Sequence, residues 1–249
     1  MSWSDQIFRY CERGADPSFW AEPLNAATNA AFLVAGLLAL AEIARKSAGD
    51  RGIAEMLLAV LVLVIGTGSF LFHTYATRWA AIADTAPIGM FMLAYLGYAL
   101  RRLLGLPWLA TAIGLALFVA ALKVAGDIEC RPGLLAVTAA ARGPCLNGTA
   151  GYLPAFLAMA GIGGVLAVRG HRAWRYLVAA AGVFLVSMLF RTIDLEVCAL
   201  TRVLGKARGT HFLWHVLNAT TLYLLLVAAI RHGYPHPAAG IASRPGSGA

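Results

Sequence analysis

Charge is what this sequence has least of. Only 13% of its 249 residues are Asp, Glu, Lys or Arg, roughly half the share of an ordinary soluble domain, and the mean hydropathy is +0.72. That composition excludes a soluble globular domain and leaves an integral membrane protein. The first 24 residues hold Asp5, Arg9, Glu12, Arg13, Asp16 and Glu22 but no apolar stretch, so no cleaved signal peptide is expected there. Internal repeats and linkers are also absent. A net charge of +8 would suggest nucleic acid in a soluble protein. Here most Lys and Arg fall in short connections between apolar runs, where they orient a chain against the bilayer.

Seven such runs are present, at 26–44, 56–73, 81–100, 106–123, 152–168, 173–193 and 211–230. Each approaches the roughly 20 residues that a helix needs to cross the hydrocarbon core. The expected fold is therefore all-α: a single domain over residues 1–230, built as a seven-transmembrane helix bundle. Residues 231–249, rich in Gly, Pro, Ala and Ser, read as a disordered cytoplasmic tail. Arg9, Arg13, Arg78, Arg131, Arg142, Arg202, Lys206 and Arg208 share the side of the N-terminus. Arg45, Lys46, Arg51, Arg101, Arg102, Arg169, Arg172, Arg175, Arg231 and Arg244 crowd into fewer residues on the other side. The positive-inside rule then puts the C-terminus in the cytoplasm and the N-terminus outside.

Cysteine is scarce, with four in all, yet its placement is informative. Cys11, Cys130, Cys145 and Cys198 all fall on the N-terminal side, as expected of an oxidising compartment. The expected pairs are Cys11–Cys198 and Cys130–Cys145.

Polar residues within spans are costly and mark function by default. Most of them gather at the N-terminal side. Glu22, Asn25 and Asn29 enter span one, Ser69 and His73 close span two, and Asp84 opens span three. Arg191 and Asp194 close span six, while His211 and His215 open span seven. Ser69 and His73 are four residues apart, as are His211 and His215, so each pair shares a helical face. Three histidines with an open position make a catalytic zinc arrangement, the fourth ligand being water. Asp84 is then the candidate proton carrier, and Ser69 a hydrogen-bond donor to a carbonyl or its oxyanion. Plainer readings exist: Asp84 and Asp194 as helix caps, or Asp194 as the ion-pair partner of Arg191. His171, His232 and His236 lie on the opposite face.

Several blocks carry a resemblance: YCER at 10–13, FWAEPLNAATN at 19–29, GSFLFH at 68–73 with Asp84 in ADTAP, FRTID at 190–194 leading to Cys198, and HFLWH at 211–215. Together they resemble the alkaline ceramidase family, seven-span zinc amide hydrolases related to the adiponectin receptors. The resemblance implies zinc held by His73, His211 and His215, with Ser69 and Asp84 as catalytic companions and Cys11 paired with Cys198. It also implies a candidate calcium site near the N-terminus, at Glu12 and Glu22 with Asp16 or Asn25. Arg9 stands before Tyr10 where an acidic residue is expected, and Gly14 replaces a polar ligand. The activity so implied is hydrolysis of the amide of ceramide, or of a related long-chain N-acyl lipid, to a fatty acid and a sphingoid-type amine. Rival readings are a receptor-like or lipid-binding member of the same superfamily with a structural metal, and a haem-binding membrane protein.

Overall fold

The structure is a computed structural model and describes residues 2–130 and 144–233. Helices α1 (Pro23–Thr28) and α2 (Ala30–Ala44) form the first span. They are followed by α3 (Ile53–Tyr75), α4 (Arg78–Tyr98), α5 (Trp108–Gly126), α6 (Leu153–Val168), α7 (Trp174–Thr192) and α8 (His211–His232). Among the described residues, seven helical segments are long and apolar enough to cross a membrane, so the expected architecture holds. Among the described residues, sheet is confined to a two-stranded hairpin, β1 (Arg202–Val203) with β2 (Lys206–Ala207), in the connection before α8.

The helices extend past the apolar runs at several ends, because tertiary partners shelter the polar residues there. The run at 56–73 stops short of Glu55, yet α3 includes it. Its buried carboxylate accepts a hydrogen bond from Tyr98 Oη at 2.5 Å. The fifth span likewise starts before its apolar run at 152–168. A 3-10 segment, Cys145–Tyr152, precedes α6, with Leu146, Asn147 and Gly148 all at positive φ. At the other end of the chain α8 continues through Arg231 to His232, two residues beyond the expected span. The rest of the expected tail, from 234, lies outside the described residues, as do Arg131 and Arg142.

α8 is the axis of the bundle. Of its apolar stretch 67% is buried, against 17% for α5 and 11% for the fifth span. It packs on α7, α2, α1 and α3. A helix so enclosed has little lipid-facing surface, so polar side chains along it meet protein rather than acyl chains. That suits it to carry two of the three candidate ligands.

Close backbone approach fixes the second pair of helices. At Gly68 of α3 an added Cβ would stand 1.9 Å from the Ala83 carbonyl oxygen of α4. Only glycine permits this crossing, of the small-residue type common between spans. It brings Ser69, one residue on, beside Asp84, one residue beyond Ala83.

Both expected disulfides are present. Cys11–Cys198 joins the N-terminal segment to the stretch after α7, with Cα atoms 5.5 Å apart and 187 positions between them in sequence. Cys130–Cys145 closes the connection between α5 and α6.

Candidate metal centre

His73 ends α3, while His211 and His215 occupy the first two turns of α8. All three are buried. Their ring centroids lie 4.6 to 5.2 Å apart, and one ligand atom from each lies within 4.8 Å of the others. The structure therefore brings together the three histidines expected from spacing.

Each ring is oriented by a partner. His73 Nδ1 contacts Glu22 Oε2 at 2.6 Å, which turns Nε2 inward, where it is buried without a hydrogen-bond partner. His215 Nδ1 meets Thr28 Oγ1 of α1 at 3.0 Å. His211 stacks under Tyr10, with centroids 3.7 Å apart, and its Nδ1 is likewise buried and unpartnered. Two orphaned ring nitrogens facing one point are costly unless a cation sits between them. Neutral imidazoles backed by a carboxylate and a hydroxyl suit zinc. The same closeness leaves no room for a porphyrin plane between any two rings, which disfavours haem.

Asp194 sets the position of His211. Its Oδ1 accepts the backbone hydrogens of Thr210 at 2.7 Å and His211 at 2.9 Å. Its Oδ2 accepts that of Cys11 at 3.0 Å. The carboxylate thus caps the start of α8 from a neighbouring loop, where a negative charge also favours the helix dipole. Burial pushes its carboxyl up, against the pull of those three N–H groups. Gly209, at φ +64°, makes this possible, since a Cβ there would lie 2.1 Å from Asp194 Oδ1. The cap reading of Asp194 is the correct one. Arg191 points elsewhere, over the rings of Trp214, Tyr152 and Tyr10 at 5.1, 5.4 and 5.8 Å.

Ser69 and Asp84 line one polar cavity with Arg9, Tyr10, Arg191 and His211. The Ser69 hydroxyl lies beside the Asp84 carboxylate. Burial pushes the Tyr10 phenol up to about 12, against the pull of Arg191, so it keeps its proton at neutral pH. Ile65, Ile88, Tyr152 and Asn218 also line a second, apolar chamber that runs deeper among α4 to α8, with Phe91, Phe118 and Phe184 in its wall. A polar reaction chamber thus abuts a greasy one.

The expected calcium ligands are arranged differently. Calcium needs about six to eight oxygens aimed at one point. Glu12 is taken by the backbone N–H of Leu24 and Asn25 and by Arg208 Nη1. Glu22 Oε1 accepts from Arg13 Nε at 2.6 Å, and Oε2 accepts the Asn25 side-chain amide. Asp16 is exposed and accepts the Ser18 N–H. The cation in their midst is Arg13, buried, with its remaining donors on the carbonyls of Asp16, Ser18, His73 and Thr74 at 2.9 to 3.1 Å. Of the expected ligand oxygens, Asn25 Oδ1 is buried without a partner, which is too few for calcium. The set does not fit that ion, and a guanidinium fills the place instead. The cage also outweighs burial at Glu22, where His73, Asn25 and Arg13 hold the carboxyl below the ordinary carboxylate range.

Sequence reasoning missed Arg13, because its acceptors are mostly main-chain oxygens that no side-chain pattern announces. Thr28 was missed for a similar reason. The signal that would have found it is one turn of helix beyond Asn25, on the face that meets α8.

Fold and site together define a membrane-spanning helical bundle with a buried, metal-competent three-histidine centre on the side of its N-terminus. Residues 9–237 match the model of the Ceramidase family, and the chain belongs to that family. Membership makes it a hydrolase of amide bonds with a lipid substrate of the ceramide kind. A search of the curated proteins gives no match.

Proposed function

We infer that the chain hydrolyses the amide of ceramide or a related long-chain N-acyl lipid with the help of zinc, releasing a fatty acid and an amine. The observation that carries this reading is the pair of orphaned nitrogens, His73 Nε2 and His211 Nδ1, beside the Ser69–Asp84 pair. His73, His211 and His215 would hold the zinc, which when bound lowers the pKa of a water and polarises a carbonyl.

The chain's own residues divide the remaining work. The apolar chamber takes the acyl chain, so the amide comes to rest at its polar end, near the histidines. Asp84 accepts the proton of the attacking water and delivers it to the leaving amine nitrogen. Ser69 turns its hydroxyl to the carbonyl oxygen as charge builds there. Tyr10, protonated and stacked on His211, closes the chamber against bulk water.

In this reading the site of the single domain faces the non-cytoplasmic side and the C-terminus lies in the cytoplasm. The distribution of Lys and Arg supports that orientation, as do two disulfides on the side of the N-terminus.

Elemental analysis of purified protein beside a His211→Ala/His215→Ala variant tests the reading, together with fatty acid release from ceramide. One zinc per chain and turnover, both lost in the variant, are expected. Equal zinc in the two proteins removes the site. Zinc retained by wild type without turnover of any N-acyl lipid favours a receptor-like role.

A further inference from the structure

A buried charge in a membrane bundle normally has a counter-charge. Arg191 lacks one. It stands in the last turn of α7, and none of the five ion pairs among the described residues includes it. Its Nη1 donates to Tyr10 Oη at 3.2 Å, while its Nε is buried with no acceptor. Three aromatic faces, Trp214, Tyr152 and Tyr10, surround the guanidinium at 5.1 to 5.8 Å. Rings ease the charge through their π faces, but they accept no N–H hydrogen bonds along its fork.

None of the nearby carboxylates hydrogen-bonds the guanidinium, whose bond goes to Tyr10. Asp84 lies beside Ser69. Asp194 accepts three backbone N–H groups. Glu196 Oε2 accepts the Asn147 side-chain amide, while its Oε1 is buried without a partner. Arg191 also lines the polar cavity with Ser69, Asp84 and His211. Arg9 joins that lining from the N-terminal segment, where it is exposed. A metal on the histidines would add positive charge to a wall that already holds two arginines against Asp84. An amide lying at the histidines has two ends. Its acyl end fits the apolar chamber, so its amine end faces Arg191 and Arg9.

We propose that Arg191 recognises an anionic group on the amine side of the substrate, so that the preferred substrates are long-chain N-acyl amines bearing a carboxylate, sulfonate or phosphate near the amide. This deepens the amide-hydrolase reading above and rests on it. A carboxylate would accept two hydrogen bonds from the guanidinium at once, including one from the orphaned Nε. A hydroxyl accepts weakly there and leaves the charge unbalanced. Arg191 is then a specificity-determining residue and takes no part in proton transfer.

The test compares N-palmitoylglycine with N-palmitoylethanolamine, which share an acyl chain and differ chiefly in carboxylate against hydroxymethyl. Zinc-loaded wild type is expected to favour the glycine amide by at least about tenfold in kcat/KM, the scale of one charge-assisted hydrogen bond. In Arg191→Gln of unchanged zinc content the ratio falls to within about threefold of one, mostly through KM, while Arg191→Lys keeps part of the preference. A wild-type ratio at or below one overturns the proposal, as does an undiminished ratio in Arg191→Gln. Should Arg191→Gln not fold, the wild-type ratio and its fall in Arg191→Lys decide the matter. Loss of palmitate inhibition in Arg191→Gln with the ratio intact would assign the arginine to the product carboxylate and overturn it too. If wild type hydrolyses ceramide but neither amide, the proposal is overturned, and if it hydrolyses none of the three, the hydrolase reading fails by itself. The shift in thermal unfolding midpoint produced by each amide then decides the role of Arg191 on the same ratio.

Discussion

Glu22 holds His73 through a contact of 2.6 Å between Oε2 and Nδ1, with both side chains buried. A carboxylate behind an imidazole fixes its tautomer and raises its basicity as a ligand. Glu22→Gln keeps the shape and removes the charge. Its zinc affinity, measured by competition with a chromogenic chelator, is expected to fall by about 10-fold to 100-fold. Unchanged affinity would mean that Glu22 serves only Arg13.

Arg13 gives a second prediction. Since a guanidinium fills the oxygen cage, removing calcium with a selective chelator should alter neither the thermal midpoint nor the turnover of wild type. Arg13→Met should destabilise by about 3–5 kcal/mol, the usual cost of breaking a buried pair from one side. Arg13→Lys should recover little, because an ammonium cannot reach acceptors spread around a planar fork. A midpoint in Arg13→Lys equal to wild type would show that charge alone is needed.

Asp84→Asn and Ser69→Ala should leave zinc content intact and lower turnover by different amounts. Loss of the proton carrier is expected to cost about 10²–10⁴-fold, and loss of one oxyanion donor about 10²–10³-fold. Both belong to kcat more than to KM. Wild-type turnover in Asp84→Asn would remove it from the mechanism.

Gly209→Ala tests the cap on α8. It combines a positive φ with a Cβ that would collide with Asp194, so Asp194 must release at least one of its three N–H groups. The expected result is a lower thermal midpoint together with weaker zinc retention, because the start of α8 carries His211. A stability loss with zinc affinity unchanged would separate the cap from the site.

Much of this was legible in the sequence because hydropathy and helical spacing act locally. The seven runs needed only length, and His211 and His215 fell on one face by their four-residue separation. Long-range partners had no such signature. Arg13 reaches the carbonyls of His73 and Thr74, about sixty positions on, and carbonyls are the same whatever the residue. Asp194 read equally as a cap or as the partner of Arg191 three residues before it, and only the structure decides, since α7 ends at Thr192 between them and Asp194 caps α8. Glu55 looked like a flank of its span because nothing nearby foretold Tyr98 more than forty positions later.

The bond between Cys11 and Cys198 also orders events in time. The segment bearing Tyr10, Arg13 and Glu22 is synthesised first and must wait for six spans before its cysteine partner exists. His73 is ready early, whereas His211 and His215 arrive with the final helix. A nascent chain stopped before residue 211 holds one histidine of the three and no means of retaining metal. On the proposed reading, loading is thus reserved for chains made past His215, and a shorter nascent chain stays inert toward the bilayer it is entering.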